Sequence, residues 1–387
     1  MKRVNRRLVI LVGSVVLLDT LFYAALAPLL PSLSTQFGLD KGGAGLLVGI
    51  YPIGTFIGAV PAGWVTARYG SRPTVLVSLF VMAAAALVFA FGQTIGVLYV
   101  GRFLQGIAGA ASWTAGLAWL VQGTSKARRG EALGFGIGAG VVGAQLGPVL
   151  GSVAHLIGRG PAFAGTAMAA GVIAAFAMRM PEAEVSLDSN RTSPWALLRN
   201  SRYLVALMIF VIPSMAFGVI EVLAPLRLSE LGASAELIGL IFFLAGTAEA
   251  VISPVIGRLS DSIGVLAIVR SGMILAAVLL LSLYFPTTVL ILGLALVCCS
   301  SAIGMLWVPA GKLVSLAAER LEVDQGWAFA IQNSTWSLAI GAGATLGGVL
   351  AAIGGDLLAY GSAAALCALV GMVMFGRRPA AAVTSDP

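Results

Sequence analysis

Gly143-Ala-Gln-Leu-Gly147-Pro148-Val149-Leu150-Gly151-Ser152 lies inside the apolar run 131–156. Three glycines and a proline at this density are poor helix formers in water. In a bilayer such residues persist where a second helix packs closely and supplies the backbone partners that proline and glycine forgo. The stretch therefore predicts a membrane-spanning helix pressed against a neighbour.

Composition agrees along the whole chain. Hydrophobic residues make up 59% of the 387 and charged residues 10%, with a mean hydropathy of +1.00. A soluble domain carries about a quarter charged residues. Apolar runs near the roughly 20 residues that cross about 30 Å of hydrocarbon recur at 8–31, 43–65, 73–92, 95–120, 131–156, 160–179, 203–228, 236–258, 265–285, 288–312, 326–350 and 355–376. The first follows Lys2, Arg3, Arg6 and Arg7, as a secretory leader would. It is too long for a leader's apolar region and no small-residue cleavage site follows, so it reads as a retained helix. The expected fold is all-α and integral to the membrane, with twelve spans.

Positive charge sets the orientation. With the N-terminus inside, nineteen of the 23 Lys and Arg residues fall on cytoplasmic loops or helix ends. Only Lys41, Arg159 and Arg227 fall outside, and Arg102 lies within a span. Both termini are thus expected in the cytoplasm, in a multi-pass protein of the cell membrane. The basic pI near 9.7 reflects this topology, so no nucleic-acid partner is expected. Cys298, Cys299 and Cys367 sit in apolar spans with no metal-ligand spacing. No metal, no cofactor and a monomer are expected, with a small molecule, protons and the bilayer as partners.

The polar stretch from Pro181 to Ser201 divides the spans six and six. It predicts an N-terminal bundle over 1–180, a cytoplasmic linker over 181–202 and a C-terminal bundle over 203–387. Within the linker, Trp195–Arg199 is short and amphipathic, a segment for the membrane surface. A repeat supports the division. Gly63-Trp-Val-Thr-Ala67-Arg68-Tyr-Gly70-Ser-Arg72 follows the second span, and Gly257-Arg-Leu-Ser-Asp261-Ser262-Ile-Gly264 follows the eighth. Gly63 and Gly70 recur as Gly257 and Gly264, each 194 residues on. Tight glycine turns with snorkelling arginines are the purely structural alternative.

These features together resemble the major facilitator superfamily. Gly143, Gly147, Pro148 and Gly151 resemble its fifth-helix antiporter motif, lacking only the final glycine, where Ser152 stands. Gly63, Arg68, Gly70 and Arg72 match its cytoplasmic loop motif, but Ala67 replaces the acid. The second loop keeps the acid as Asp261. In the family this acid latches the two halves across the cytoplasmic interface, a role the resemblance gives to Asp261 and not to position 67. Arg102, Gln105 and Gly106 resemble the helix 4 motif, whose arginine is tied to proton movement. Arg102 and Gln105 share a helix face, while Gly106 and Gly109 admit a close neighbour. The resemblance implies two pseudo-symmetric six-helix bundles with a substrate site between them.

Charge within a span is costly, so each such residue is a functional candidate. Asp19 lies about 11 residues in from the cytoplasmic end, roughly 16 Å deep at 1.5 Å per residue. Arg102, Glu221 and Glu249 complete the set. The stretches Leu17–Phe22 with Ala27–Pro31 and Val219–Leu226 resemble helices 1 and 7 of vesicular monoamine transporters and their bacterial drug:proton relatives. The resemblance implies that Asp19 meets a substrate amine. The acids those transporters carry in helices 10 and 11 have no counterpart in 288–312 or 326–350. A carboxylate in a low-dielectric cavity can hold a proton or a cation in turn, which is the logic of exchange. Tyr51, Phe56, Trp113, Gln145, Phe217, Phe242, Trp307, Gln332, Asn333 and Trp336 are candidate cavity residues, aromatic faces being suited to cations. The reading is proton-coupled efflux of small amphipathic or cationic compounds by alternating access. The alternative is a sugar or metabolite exporter or symporter of the same fold. An enzyme is not expected, since one histidine and no nucleophile–base pair or ligand cluster offer no catalytic set.

Overall fold

The computed structural model describes residues 6–125, 128–182, 195–323 and 325–376. Lys2, Arg3, Lys126, Arg191, Arg377 and Arg378, and the linker over 183–194, lie outside the described residues. The N-terminal half comprises α1 (Arg6–Ala24), α2 (Leu26–Phe37), α3 (Lys41–Tyr69), α4 (Ser71–Phe91), α5 (Ile95–Gln122), α6 (Arg129–Ile157) and α7 (Arg159–Ala177). A short α8 (Trp195–Leu198) leads into the C-terminal half: α9 (Ser201–Glu230), α10 (Ala235–Ile263), α11 (Val265–Ser282), α12 (Val289–Gly304), α13 (Trp307–Arg320), α14 (Gln325–Gly354) and α15 (Asp356–Gly376). Among the described residues, eleven helical stretches are long and apolar enough to cross a membrane. The 28-residue α5, whose hydropathy is lowered by Arg102 and Gln105, makes the twelfth span.

Two spans read as single apolar runs are in fact interrupted. The first breaks at Ala25, between α1 and α2, and the tenth at Met305–Leu306, between α12 and α13. A proline lies about one turn beyond each break, although α3, α6, α9 and α10 run on across internal prolines. Pro28 has no N–H to donate to the Ala24 carbonyl, and Pro309 none for that of Met305. Hydropathy is continuous across both points, which hides the breaks from a hydrophobicity reading.

The repeat of 194 residues extends through the loops. Gly70 and Gly264 have φ of 93° and 91°, a conformation almost restricted to glycine. Gly38 ends α2 at φ 61° and Gly232 follows α9 at φ 93°. Two residues on from each, Asp40 caps α3 by accepting from the Gly43 N–H, and Ser234 caps α10 by accepting from that of Leu237. At these two turns the punctuation of the halves matches residue for residue.

Large apolar side chains stand on the outside, among them Val60 at 80% exposure and Phe80 at 76%. A face this apolar suits hydrocarbon. The short α8 docks instead of lying free on the surface: Leu197 is buried among Tyr203, Val314 and Ala318 of the C-terminal half.

Contacts between the halves gather toward one end. Lys41 pairs with Asp356 at 2.6 Å and Glu230 at 3.7 Å, and the Ser152 hydroxyl donates to the Ala235 carbonyl at 3.3 Å. Gly45 and Gly49 of α3 touch the backbone of α14 around Gly341 and Gly348, with no room for a Cβ.

Candidate functional site

The stretch Gly143–Ser152 shapes the site by letting α6 approach on two faces. A Cβ at Gly143 would collide with Leu17 and Thr20, one at Gly147 with Leu21 and Ala24, and one at Gly151 with Ala25 and Pro28. The glycines therefore seat the interrupted first span. The other face carries Gln145, Pro148 and Ser152 against Gly246 and Gly239 of α10. Ser152, which departs from the motif, makes the hydrogen bond that joins the halves here.

Behind this seam lies a cavity of about 380 Å³ lined by both halves. Tyr51, Trp113, Gln145, Phe217, Phe242, Asn333 and Trp336 of the expected set line it, as do Arg102, Glu221 and Glu249. Phe56 faces outward and is exposed, and Gln332 is buried. Trp307 is not in the lining; its indole N–H donates to Glu249 Oε1 at 2.8 Å. From Leu26 and Pro148 the cavity runs past Gly140 and Val141 to the exposed Ile137, toward the N-terminal end of α6.

A buried polar cluster forms its floor on the N-terminal side. Asp19 is at 0% exposure. Its Oδ2 accepts from the Tyr51 hydroxyl at 3.0 Å and the Trp113 indole N–H at 3.1 Å. Gly109 leaves the space this carboxylate occupies. Tyr51 stacks on Tyr23 with ring centroids 4.6 Å apart, and the Arg102 guanidinium lies 5.1 Å from one ring and 5.7 Å from the other. Arg102 donates to Gln105 Oε1 at 2.8 Å, as their shared face led one to expect. Across the interface the Tyr23 hydroxyl donates to Glu221 Oε2 at 2.6 Å. Tyr23 therefore connects the two halves, and the sequence reading missed it. Its position four residues after Asp19, on the same helix face, was the available signal.

Asp19 Oδ1, Arg102 Nε and Nη2, and Gln105 Nε2 are buried without hydrogen-bond partners. Most buried polar atoms are paired, so several orphans in one cluster set it apart from ordinary packing. Asp19 is also absent from the cavity lining. In this conformation it contacts aromatic donors of its own half and offers no open face to an amine.

The loop residues sit apart from this cluster. Arg68 stacks on Tyr69 at 5.8 Å, and Arg72 donates to the Met178 carbonyl. Asp261 pairs with Lys312 of its own half. Between described residues it makes no ion pair with the N-terminal half, so the latch expected there is not formed in this conformation. The equivalent glycines are unequally crowded: Gly63 has no neighbour where a Cβ would stand, and Gly257 meets only Val308.

The sequence profile described as Major Facilitator Superfamily matches residues 12–320 and, in a second match, 214–387. The chain is 31% identical over 156 residues to the tetracycline resistance protein, class H, of Pasteurella multocida, covering 38% of this chain and 39% of that protein. It is 30% identical over 207 residues to the chromaffin granule amine transporter of Rattus norvegicus, covering 52% and 40%. These matches span less than half the length of either relative. A D-xylose-proton symporter superposes with a TM-score of 0.76 at 16% identity, covering 97% of this chain and 98% of that one, a likeness of fold. The two sequence relatives agree with the drug:proton antiporter branch suggested by the Gly143–Gly151 stretch. The chain belongs to the major facilitator superfamily.

Proposed function

We propose that the protein exports small amphipathic or cationic compounds in exchange for protons, by alternating access across the cell membrane. The observation that carries this reading is the buried Asp19–Tyr51–Arg102 cluster with its unpartnered polar atoms, set beside an aromatic cavity with its own carboxylates. A sealed carboxyl group can accept a proton, which needs no room, yet cannot admit an organic cation. Arg102 opposes neutralisation of Asp19 electrostatically, so a rearrangement that moves one from the other changes the proton content. Tyr23 links that event to Glu221 and so to the opposite half.

With both termini cytoplasmic, the closed end at Lys41–Asp356 faces outward and the cavity faces the cytoplasm, the side on which an exporter loads. The segments 1–180 and 203–387 then act as the two rocking bodies, joined through 181–202. The named activities of the relatives, tetracycline resistance and amine transport, support a drug- or amine-like substrate.

The test is purified protein in liposomes with an imposed proton gradient, screened with amphipathic cations and with neutral sugars. Proton flux elicited by the cations supports exchange. Flux elicited by sugars alone, in the direction of the gradient, overturns it in favour of a sugar symporter.

A further inference from the structure

The two cavity acids are held differently, although both line the same space. Glu221 Oε2 is occupied by the Tyr23 hydroxyl and lies within the electrostatic reach of Arg102. Glu249, on α10, has Trp307 as its side-chain donor. Its Oε1 accepts the indole N–H, while Oε2 has neither a hydrogen bond nor a place among the sealed orphan atoms. Glu249 lines the cavity with that second oxygen unbonded.

The side chain's path is built into the fold. Gly304 faces Glu249, and a Cβ there would strike its Cγ. Trp307, which anchors the carboxylate, stands just past the break at Met305–Leu306. Phe210 packs edge-on to Trp307 with centroids 4.9 Å apart and lines the cavity, as does Phe242. A carboxylate with one fixed oxygen, one free oxygen and aromatic walls is the chemistry that binds an organic cation. Charge points the same way. Asp19, Glu221 and Glu249 share a single guanidinium, Arg102, and a charge in a low-dielectric site needs a counter-charge.

We propose that Glu249, oriented by Trp307, is the substrate's cation anchor, and that the ligand is a monocation with an aromatic body. The assignment rests on the exporter reading above and adds a division of labour. The C-terminal wall holds the positive charge of the substrate, while Asp19 in the N-terminal half holds the proton.

The test is equilibrium binding to protein in lipid nanodiscs of tetraphenylphosphonium and of neutral triphenylphosphine oxide, at one fixed pH. Tetraphenylphosphonium has no hydrogen-bond donor, so it isolates charge. Glu249→Gln keeps an acceptor for the Trp307 indole and removes only the charge. It should weaken phosphonium binding tenfold or more and change binding of the neutral compound less than twofold. Glu249→Asp, which keeps the charge, should retain phosphonium binding within about threefold. Wild-type phosphonium binding in Glu249→Gln, or an equal loss of both ligands, overturns the assignment. If Glu221→Gln carries the charge-selective loss instead, the exporter reading stands and the Glu249 assignment falls. A wild-type protein that binds neither compound overturns both.

Discussion

In the N-terminal half the acid of the first span is sealed, bonded to Tyr51 and Trp113 and close to Arg102. In the C-terminal half Glu249 stands on the cavity wall with the Trp307 indole as its hydrogen-bond donor. The contrast is one of access. A group that only a proton reaches and a group that an organic cation reaches are suited to opposite ends of an exchange reaction. Tyr23 joins the halves by tying the stacked tyrosines of one to Glu221 of the other.

The strongest way to break this arrangement is to unseat the first span that carries Asp19 and Tyr23. Gly147→Leu places a side chain against Ala24 and Leu21, where the two backbones meet. It should abolish transport while leaving membrane insertion and yield near wild type, since leucine favours the bilayer. Wild-type transport at matched expression contradicts the packing role.

Arg102→Lys tests the electrostatic part. A lysine keeps the charge but has no planar group to lie over Tyr23 and Tyr51 while bonding Gln105. Substrate-induced proton flux should fall tenfold or more, with cation binding at Glu249 little changed. Equal losses of flux and binding argue that the two sites are one.

Tyr23→Phe removes a single hydroxyl and with it the bond to Glu221. A hydrogen bond to a charged group contributes about 1.5–3 kcal/mol. The conformational equilibrium should shift roughly tenfold toward opening at the Lys41 end, read as cysteine accessibility at the two mouths. Lys41→Gln removes the ion pair with Asp356, partly exposed and contributing about 0.2–1 kcal/mol. It should move the same ratio in the same direction by only a few fold. If Lys41→Gln moves it further than Tyr23→Phe, the outer ion pair and not the tyrosine holds the halves together.

Most of the fold is written in the sequence, because hydropathy and charge act over whole spans. Twelve runs, the six-plus-six division and the echo of Gly63 and Gly70 at Gly257 and Gly264 come from composition and spacing. The breaks at Ala25 and Met305 escape because hydropathy is continuous across them. The candidate site was legible where charge stands out against apolar sequence: Asp19, Arg102, Glu221 and Glu249. Tyr23 and the partnership of Trp307 with Glu249 were not, since an aromatic residue in an apolar span carries no mark of what it bonds. Asp261 pairs with Lys312 of its own half, and the inter-half contact its motif suggests is not formed between described residues in this conformation.

The most direct test compares two quantities in proteoliposomes containing Asp19→Asn: proton flux induced by an amphipathic cation, and exchange of that cation between the two sides with no gradient applied. If Asp19 is the proton site and the cation binds elsewhere, exchange should persist within a few fold of wild type while proton flux is lost. Asp19→Asn protein that still moves protons at the wild-type rate contradicts the claim, as does loss of cation binding together with exchange.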